Sequence, residues 1–356
     1  MSNRIMLGMG HPAHFHLFRE LIELLKINNY EIKIVITDKD ILARLLDEHG
    51  LAYQRLGERK NKENLIDKAL KVFRTTFVLR RIVKSFRPQI MIGTLSQMAY
   101  AGKLERVPFY FFGEDDITYT FLQCYITYPF VTNMVAPTVT NVGVFRYKKV
   151  AYNGYQKLAY LHPNRFKPNP ELIPEIDVNS TYAIVRLVDL NAYHDVNING
   201  IDMDFLRVLI GKLSRIGKVY LSSENELPNE FEKYKLPVSV KYMHHALAYA
   251  TVFVGDSQSM TVEAAVLGIP ALKFNDFNGK ISVLNELESK YGLTYGFNTS
   301  QKKELLSKID ELIETNELKA IFTEKRQLML NQKLDVTAFM FEFVEEKIKN
   351  IKYKLQ

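Results

Sequence analysis

ATVFVGDSQSMTVEAAVLGIPAL, residues Ala250–Leu272, is the stretch on which the fold of this chain turns. Thr251–Val254 reads as a buried β-branched strand, Gly255–Ser259 as a polar turn of small residues, and the next segment as a helix closed by Gly268, after which Pro270 introduces a second short strand. A strand, tight turn and helix in that order aim free backbone N–H groups and the positive end of a helix dipole at one point, where phosphate binds well. Glu263 lies about one helical turn beyond the polar loop, within reach of a ribose diol, while Ser257 and Ser259 face the phosphates. This spacing suits a nucleotide diphosphate. It equally suits a plain α/β unit in which Asp256 or Ser257 caps the helix and Glu263 is a solvated helix residue.

Outward from this unit, strands and helices alternate in two series. In the first half Arg4–Gly8, Glu31–Ile36, Gln89–Gly93 and Pro108–Phe112 read as buried strands, with helices over about Phe15–Asn28, Asp40–His49 and Asn64–Phe86. The second half restarts with strands at Tyr182–Arg186, Lys218–Leu221, Val238–Val240, Thr251–Val254 and Ala271–Phe274, and is almost wholly helical after Ser300. Alternation of this kind implies parallel sheets with helices on both faces. The expected class is α/β: two Rossmann-like domains facing across a cleft, with a last helix placed to pack back on the first domain. Leu161–Ile176 holds four of the twelve prolines and little periodicity. The expected division is a first domain over 1–162, a linker over 163–176, a second domain over 177–335 and a terminal helix over 336–356.

A length of 356 residues fits two domains of about 150–200 residues each. The 47% hydrophobic and 24% charged content is that of a soluble globular protein. No apolar run reaches the roughly 18 residues that span a bilayer, and the chain enters its first strand with no basic and apolar leader, so the expected location is cytoplasmic. The single cysteine, Cys124, excludes an internal disulfide and a cysteine-based zinc site. The net charge of +7 is unevenly spread: Lys68–Arg87 carries seven basic residues and no acidic one, with Leu70, Phe73, Phe77, Ile82 and Phe86 at helical spacing. Such a helix either covers a doubly wound domain or meets an anionic membrane surface, which would make the protein peripheral at the inner face of the membrane. No nucleic-acid recognition motif accompanies it.

Four segments carry a family resemblance: His11-Pro-Ala-His-Phe-His16, Tyr152-Asn-Gly-Tyr-Gln-Lys-Leu-Ala-Tyr-Leu-His-Pro163, Arg186-Leu-Val-Asp-Leu-Asn-Ala-Tyr-His-Asp195 and the Gly255–Gly268 unit. Through them the chain resembles a glycosyltransferase-like family of the GT-B superfamily, related to the UDP-N-acetylglucosamine 2-epimerases. The resemblance implies a sugar nucleotide, UDP-linked, on the second domain and an acceptor on the first, with no metal or other cofactor. In the related epimerases the matching unit reads Asp-Ser-Gly-Gly-Ile-Gln-Glu-Glu-Ala, which places Ser257 at the phosphate and Glu263 at the ribose. Gln258 and Ser259 replace the two glycines, and bulkier residues hinder close approach of the backbone to a pyrophosphate. Asp256 belongs to the same unit, and the base is expected near Lys241–Met243. Arg186, Asn191 and His194, on the segment after the first strand of the second domain, are further expected contacts to the diphosphate. Arg186 is as well accounted for by a salt bridge.

The resemblance also bears on reaction type. The epimerases place acidic residues after the strands matching Gln89–Gly93 and Pro108–Phe112; here the first ends in Gly93-Thr-Leu-Ser96, and only the second, Phe111-Phe-Gly-Glu-Asp-Asp116, supplies carboxylates. Loss of one acid–base group usually costs orders of magnitude in rate, which favours glycosyl transfer to a polysaccharide or lipid-linked acceptor in cell-surface glycan synthesis. Epimerisation or hydrolysis of the sugar nucleotide, and a non-catalytic sugar-nucleotide-binding protein, are the alternatives. Transfer with inversion needs a base for the acceptor hydroxyl. His14, taken as mid-loop, is the first candidate, then His16 and Glu114; three adjacent carboxylates, Glu114–Asp116, repel one another in a way that raises one pKa into the useful range. A histidine at a helix start bonded to backbone, and a solvated acidic turn, are the structural counterparts of these readings. His244 and His245 are expected at a helix start, without a chemical role.

Overall fold

The computed structural model describes residues 3–37, 40–57, 65–188 and 200–355. It divides into two compact units, Met1–Tyr160 with Leu334–Gln356, and Leu161–Lys333.

The first unit runs β1 (Asn3–Met9), α1 (Pro12–Ile27), β2 (Tyr30–Ile36), α2 (Asp40–Glu48), β3 (Tyr53–Arg55), α3 (Leu65–Phe86), β4 (Ile90–Gly93), α4 (Ser96–Glu105), β5 (Phe109–Phe112), α5 (Phe121–Thr127), β6 (Asn133–Pro137) and β7 (Lys149–Tyr152), then α6 (Leu158–Leu161) at its border. All seven strands are parallel, in the order β3-β2-β1-β4-β5-β6-β7. The central strands are buried on both faces, so β1, β4 and β5 read as continuous apolar runs rather than as alternation. Helix α1 supports the sheet through Phe15, Leu17, Phe18, Leu21, Ile22 and Leu25, each side chain contributing about 1.5–3 kcal/mol by leaving water. At the carboxyl edge Gly93 takes φ 146°, and a Cβ there would lie 2.3 Å from the Gly8 carbonyl oxygen, so glycine lets β1 and β4 leave the sheet in close contact. The terminal helix, α13 (Val336–Leu355), returns to this unit, with Phe343 edge-on to Tyr110 at 5.1 Å and Thr337 Oγ1 donating to the Ala159 carbonyl at 2.7 Å.

The second unit runs β8 (Tyr182–Leu187), α7 (Met203–Leu213), β9 (Lys218–Ser223), α8 (Met243–Tyr249), β10 (Val252–Gly255), α9 (Gln258–Leu267), β11 (Ala271–Phe274), α10 (Ser282–Ser289), β12 (Thr294–Phe297), α11 (Lys302–Glu314) and α12 (Leu318–Gln332), before α13. Its five strands are parallel in the order β12-β11-β10-β8-β9. Helix α9 is buried along almost its whole length and ends at Gly268, whose φ of 84° is the left-handed cap that glycine adopts without strain. The stretch 163–176, expected as a linker, is part of this unit, where its apolar residues Phe166, Ile173 and Ile176 are buried.

One expected strand is corrected. Val238–Val240 is no strand: Pro237 precedes it, the Ser239 hydroxyl accepts from the Lys241 N–H, and the chain enters a short 3-10 turn at Val240–Tyr242. The apolar residues of α3 do not form one core-facing stripe. Ile82 is buried beside Leu79 and Val83, whereas Phe73 is 62% exposed and Leu70 and Phe77 also face solvent.

Candidate functional site

In open α/β sheets ligands bind beyond the carboxyl ends of the strands, where the strand order reverses. That point lies between β1 and β4 in the first sheet and between β8 and β10 in the second.

In the second unit β10 delivers Gly255, Asp256 and Ser257 to the start of α9. The Ser257 hydroxyl accepts from the Met260 N–H at 3.3 Å and caps the helix. The N–H groups of Gln258 and Ser259 open the first turn, where helix geometry supplies no internal acceptor, and their side chains are partly exposed. Asp256 turns inward: it is 4% exposed, its Oδ1 accepts from the Val188 N–H at 2.9 Å, and its carbonyl oxygen accepts from Asn275 Nδ2 at 2.7 Å. It thereby ties the ends of β8, β10 and β11 together. Burial pushes its carboxyl up to about 7, against the opposing pull of the Val188 N–H and of Arg186. Arg186 donates to Ser222 Oγ at 2.7 Å and to Glu224 Oε1 at 2.6 Å, the ion pair that the sequence left open as an alternative. Asn191 and His194 lie outside the described residues.

Glu263 is buried on α9, 7% exposed, and its Oε2 lies 3.4 Å from Nε2 of His244 on α8. His244 is thus a residue that the sequence reading passed over; a histidine that opens a helix one strand earlier gives no local sign of what it meets. Its neighbour His245 accepts from the Asn169 N–H through Nδ1 at 3.0 Å and packs on Phe166 at 4.9 Å. Met243, the expected neighbour of the base, begins α8 and is buried. Amide donors at the start of α9 and a carboxylate on its second turn are groups suited to a diphosphate and a diol.

In the first unit His11 is the N-cap of α1, its Nδ1 accepting from the Ala13 N–H at 3.2 Å. His14 is in the first helical turn, not mid-loop, because Pro12 starts the helix earlier than its apolar periodicity shows. Its Nδ1 accepts from the Gly10 N–H at 3.2 Å and lies 2.7 Å from Thr94 Oγ1, at the end of β4. Thr94 was not anticipated, although the reversal of strand order brings the ends of β1 and β4 together. His16 lies further along α1, its ring 5.4 Å from that of Tyr160.

The three adjacent carboxylates do not form a repelling cluster. Glu114 accepts from the Gln156 N–H at 2.6 Å and from Lys157 Nζ at 3.2 Å, both on the loop after β7. Asp115 is exposed, and Asp116 is buried with Oδ1 accepting from the Asn141 N–H at 2.5 Å. A turn sends the three side chains in different directions, which spacing along the chain cannot reveal. Among the described residues no three His, Cys, Asp or Glu side chains gather as metal ligands.

No family model matches this chain, and no curated protein does. Solved structures do. The UDP-GlcNAc 2-epimerase from Neisseria meningitidis bound to UDP-GlcNAc superposes with a TM-score of 0.61 at 13% identity, over 92% of this chain and 99% of that one. The S. aureus MnaA–UDP complex gives 0.66 at 14% identity, over 99% and 97%. The spinosyn forosaminyltransferase SpnP gives 0.63 at 14% identity, over 97% and 100%. With its two parallel sheets and interleaved helices, the chain has the two-domain α/β fold of the GT-B type, which it shares with these epimerases and transferases.

Proposed function

We propose that this chain is a glycosyltransferase that moves a sugar from a UDP-linked donor to a glycan or lipid-linked acceptor. The observation that carries the choice of transfer is the disposition of carboxylates at the ends of β4 and β5. β4 ends in Gly93 and Thr94 without one, and Glu114 after β5 has its carboxylate engaged by Lys157 and the Gln156 N–H. The acid–base set that epimerisation requires is therefore missing one member, and the other is already bonded. The donor is assigned to the second unit: diphosphate at Ser257, Gln258 and Ser259, ribose at Glu263, base near Met243, and Arg186 with Asn191 and His194 on the phosphate side. The acceptor is assigned to the first unit, at His14 and His16.

The acceptor, in this reading, lies at an anionic membrane surface on the cytoplasmic side. Support comes from α3, where Leu70, Phe73 and Phe77 are exposed beside the basic residues Arg74 and Arg81, and from α5, where Phe121 is 60% exposed and Leu122, Tyr125 and Ile126 also face solvent. Helix α4 packs against both. Apolar and basic side chains on one region favour insertion beneath anionic headgroups. No helix among the described residues is long and apolar enough to cross a membrane.

The test is a panel of UDP-sugars incubated with the protein, with and without lipid-linked and glycan acceptors, following UDP release and the fate of the sugar. Transfer predicts release that depends on acceptor. Equal release without acceptor, or conversion of the donor to its 2-epimer, would replace transfer by hydrolysis or epimerisation, and binding without turnover would mark a non-catalytic protein.

A further inference from the structure

We infer that His14 meets its ligand as a hydrogen-bond donor through Nε2, held in that form by Gly10 and Thr94, and does not serve as the acceptor's base. The inference rests on the assignment of the acceptor to the first unit. A backbone N–H can only donate, and the Gly10 N–H donates to His14 Nδ1 at 3.2 Å. That nitrogen therefore presents its lone pair, and the Thr94 hydroxyl, 2.7 Å from the same atom, donates to it as well. With Nδ1 accepting, the neutral ring carries its proton on Nε2. Placing a proton on Nδ1 would set it against the Gly10 N–H, two donors facing each other.

The arrangement is fixed from three sides. Pro12 begins α1 and sets the first helical turn, so the imidazole folds back over the end of β1. Thr94 is buried and anchored by its own N–H to the Gly8 carbonyl at 3.0 Å. On the third side, a Cβ at Gly10 would lie 2.8 Å from Leu95 Cδ2, so a larger residue there would have to displace the end of that side chain. Thr94 is thus a positioning residue: its hydroxyl, able to donate or accept, follows the tautomer that the Gly10 N–H imposes and holds the ring in place, so that any ligand oxygen met by Nε2 is met by an N–H. A neutral imidazole donor at a helix start steadies a hydroxyl or developing negative charge without itself taking up a proton.

Two measurements on the full chain test this. Long-range 1H–15N spectra of histidine-labelled protein, with His14 identified by its loss in His14→Gln, are expected to show Nδ1 as an unprotonated nitrogen and Nε2 as protonated. Thr94→Val is expected to shift the Nδ1 signal toward an unbonded nitrogen, and Thr94→Ser to keep the wild-type position. A protonated Nδ1 on His14 would overturn the inference whether or not any transfer activity is found. In the transfer assay His14→Gln, whose amide supplies an N–H near the Nε2 position, is expected within about tenfold of wild type, and His14→Ala at least about 100-fold lower. Gln as inactive as Ala would return the ring to the role of base. Absence of transfer by the wild type would remove the proposed function while leaving the tautomer decided by the spectra.

Discussion

Asp256 is matched to the phosphate site by its place in the sequence, yet its side chain works on the protein itself. Burial raises the carboxyl from 3.8 to about 7, so folding favours the protonated form. A carboxyl raised in the folded state contributes stability that is fully present below its unfolded value, near 4, and lost as pH rises through about 7. Asn in its place keeps an acceptor for the Val188 N–H and does not ionise. Asp256→Asn is therefore expected to gain stability relative to wild type between pH 4.5 and 8, by at most on the order of 4 kcal/mol. Denaturant unfolding at both pH values measures the difference, and parallel behaviour of the two proteins would show that the carboxyl does not titrate in this range. Lys273 has the opposite sign. Flanked across the sheet by Gly255 and Gly296 and buried, its amine is lowered to about 7 by desolvation, so its contribution is lost as pH falls through that value. Lys273→Met is expected to be more stable than wild type at pH 5.5 by more than it is at pH 9, read in the same unfolding experiment; an equal difference at both pH values would mean that the amine keeps its ordinary value.

Among the elements, α3 and α5 carry side chains that neither unit buries. If they meet an anionic bilayer, each exposed basic residue adds about 1 kcal/mol at low salt, and binding falls steeply as salt screens it. The double variant Phe73→Ser, Phe121→Ser is expected to reduce sedimentation with anionic vesicles several-fold at fixed salt while leaving the fold intact, since neither ring belongs to the core. Equal binding of wild type to neutral and anionic vesicles would return both helices to the scaffold. The aromatic face of α5 escaped the sequence reading because exposed and buried aromatics look alike until packing is known. The same limit explains the strands. β1, β2, β4, β5 and β8 to β11 were legible as apolar runs, and the cap and stop of α9 were legible as Ser257 or Asp256 and Gly268. β3, with three residues, β6, ending in Pro137, and the edge strands β7 and β12 are too short or too polar to show a period. At the candidate site, the placement of Ser257 at the start of α9 and of Glu263 along it was legible because the unit is local. The partners Thr94, Lys157 and His244 lie 80, 43 and 19 positions from His14, Glu114 and Glu263, and no window along the chain brings them together.

At the scale of the whole molecule, each unit is a separate sheet with its own reversal of strand order, β1 against β4 in one and β8 against β10 in the other. Open α/β sheets commonly bind ligands at such places, and the proposed division of labour assigns the nucleotide to the second alone. Hydrogen exchange in the full chain distinguishes the two. Saturating UDP is expected to slow exchange at 252–267, where the N–H groups of the α9 start and its capping turn meet the phosphates, and to leave 3–27 unchanged. Glu263→Ala is expected to weaken UDP binding by about 1.5–3 kcal/mol, because a charged acceptor to the ribose diol is lost, and to require correspondingly higher UDP for the same protection. The variant also leaves His244 without the carboxylate that lies 3.4 Å away, so thermal unfolding without ligand is measured beside it to separate lost binding from lost stability. Protection that appears at 3–27 in place of 252–267 would move the nucleotide to the first unit. Unchanged affinity in Glu263→Ala, with protection still at α9, would keep the phosphate site and take the ribose away from this carboxylate.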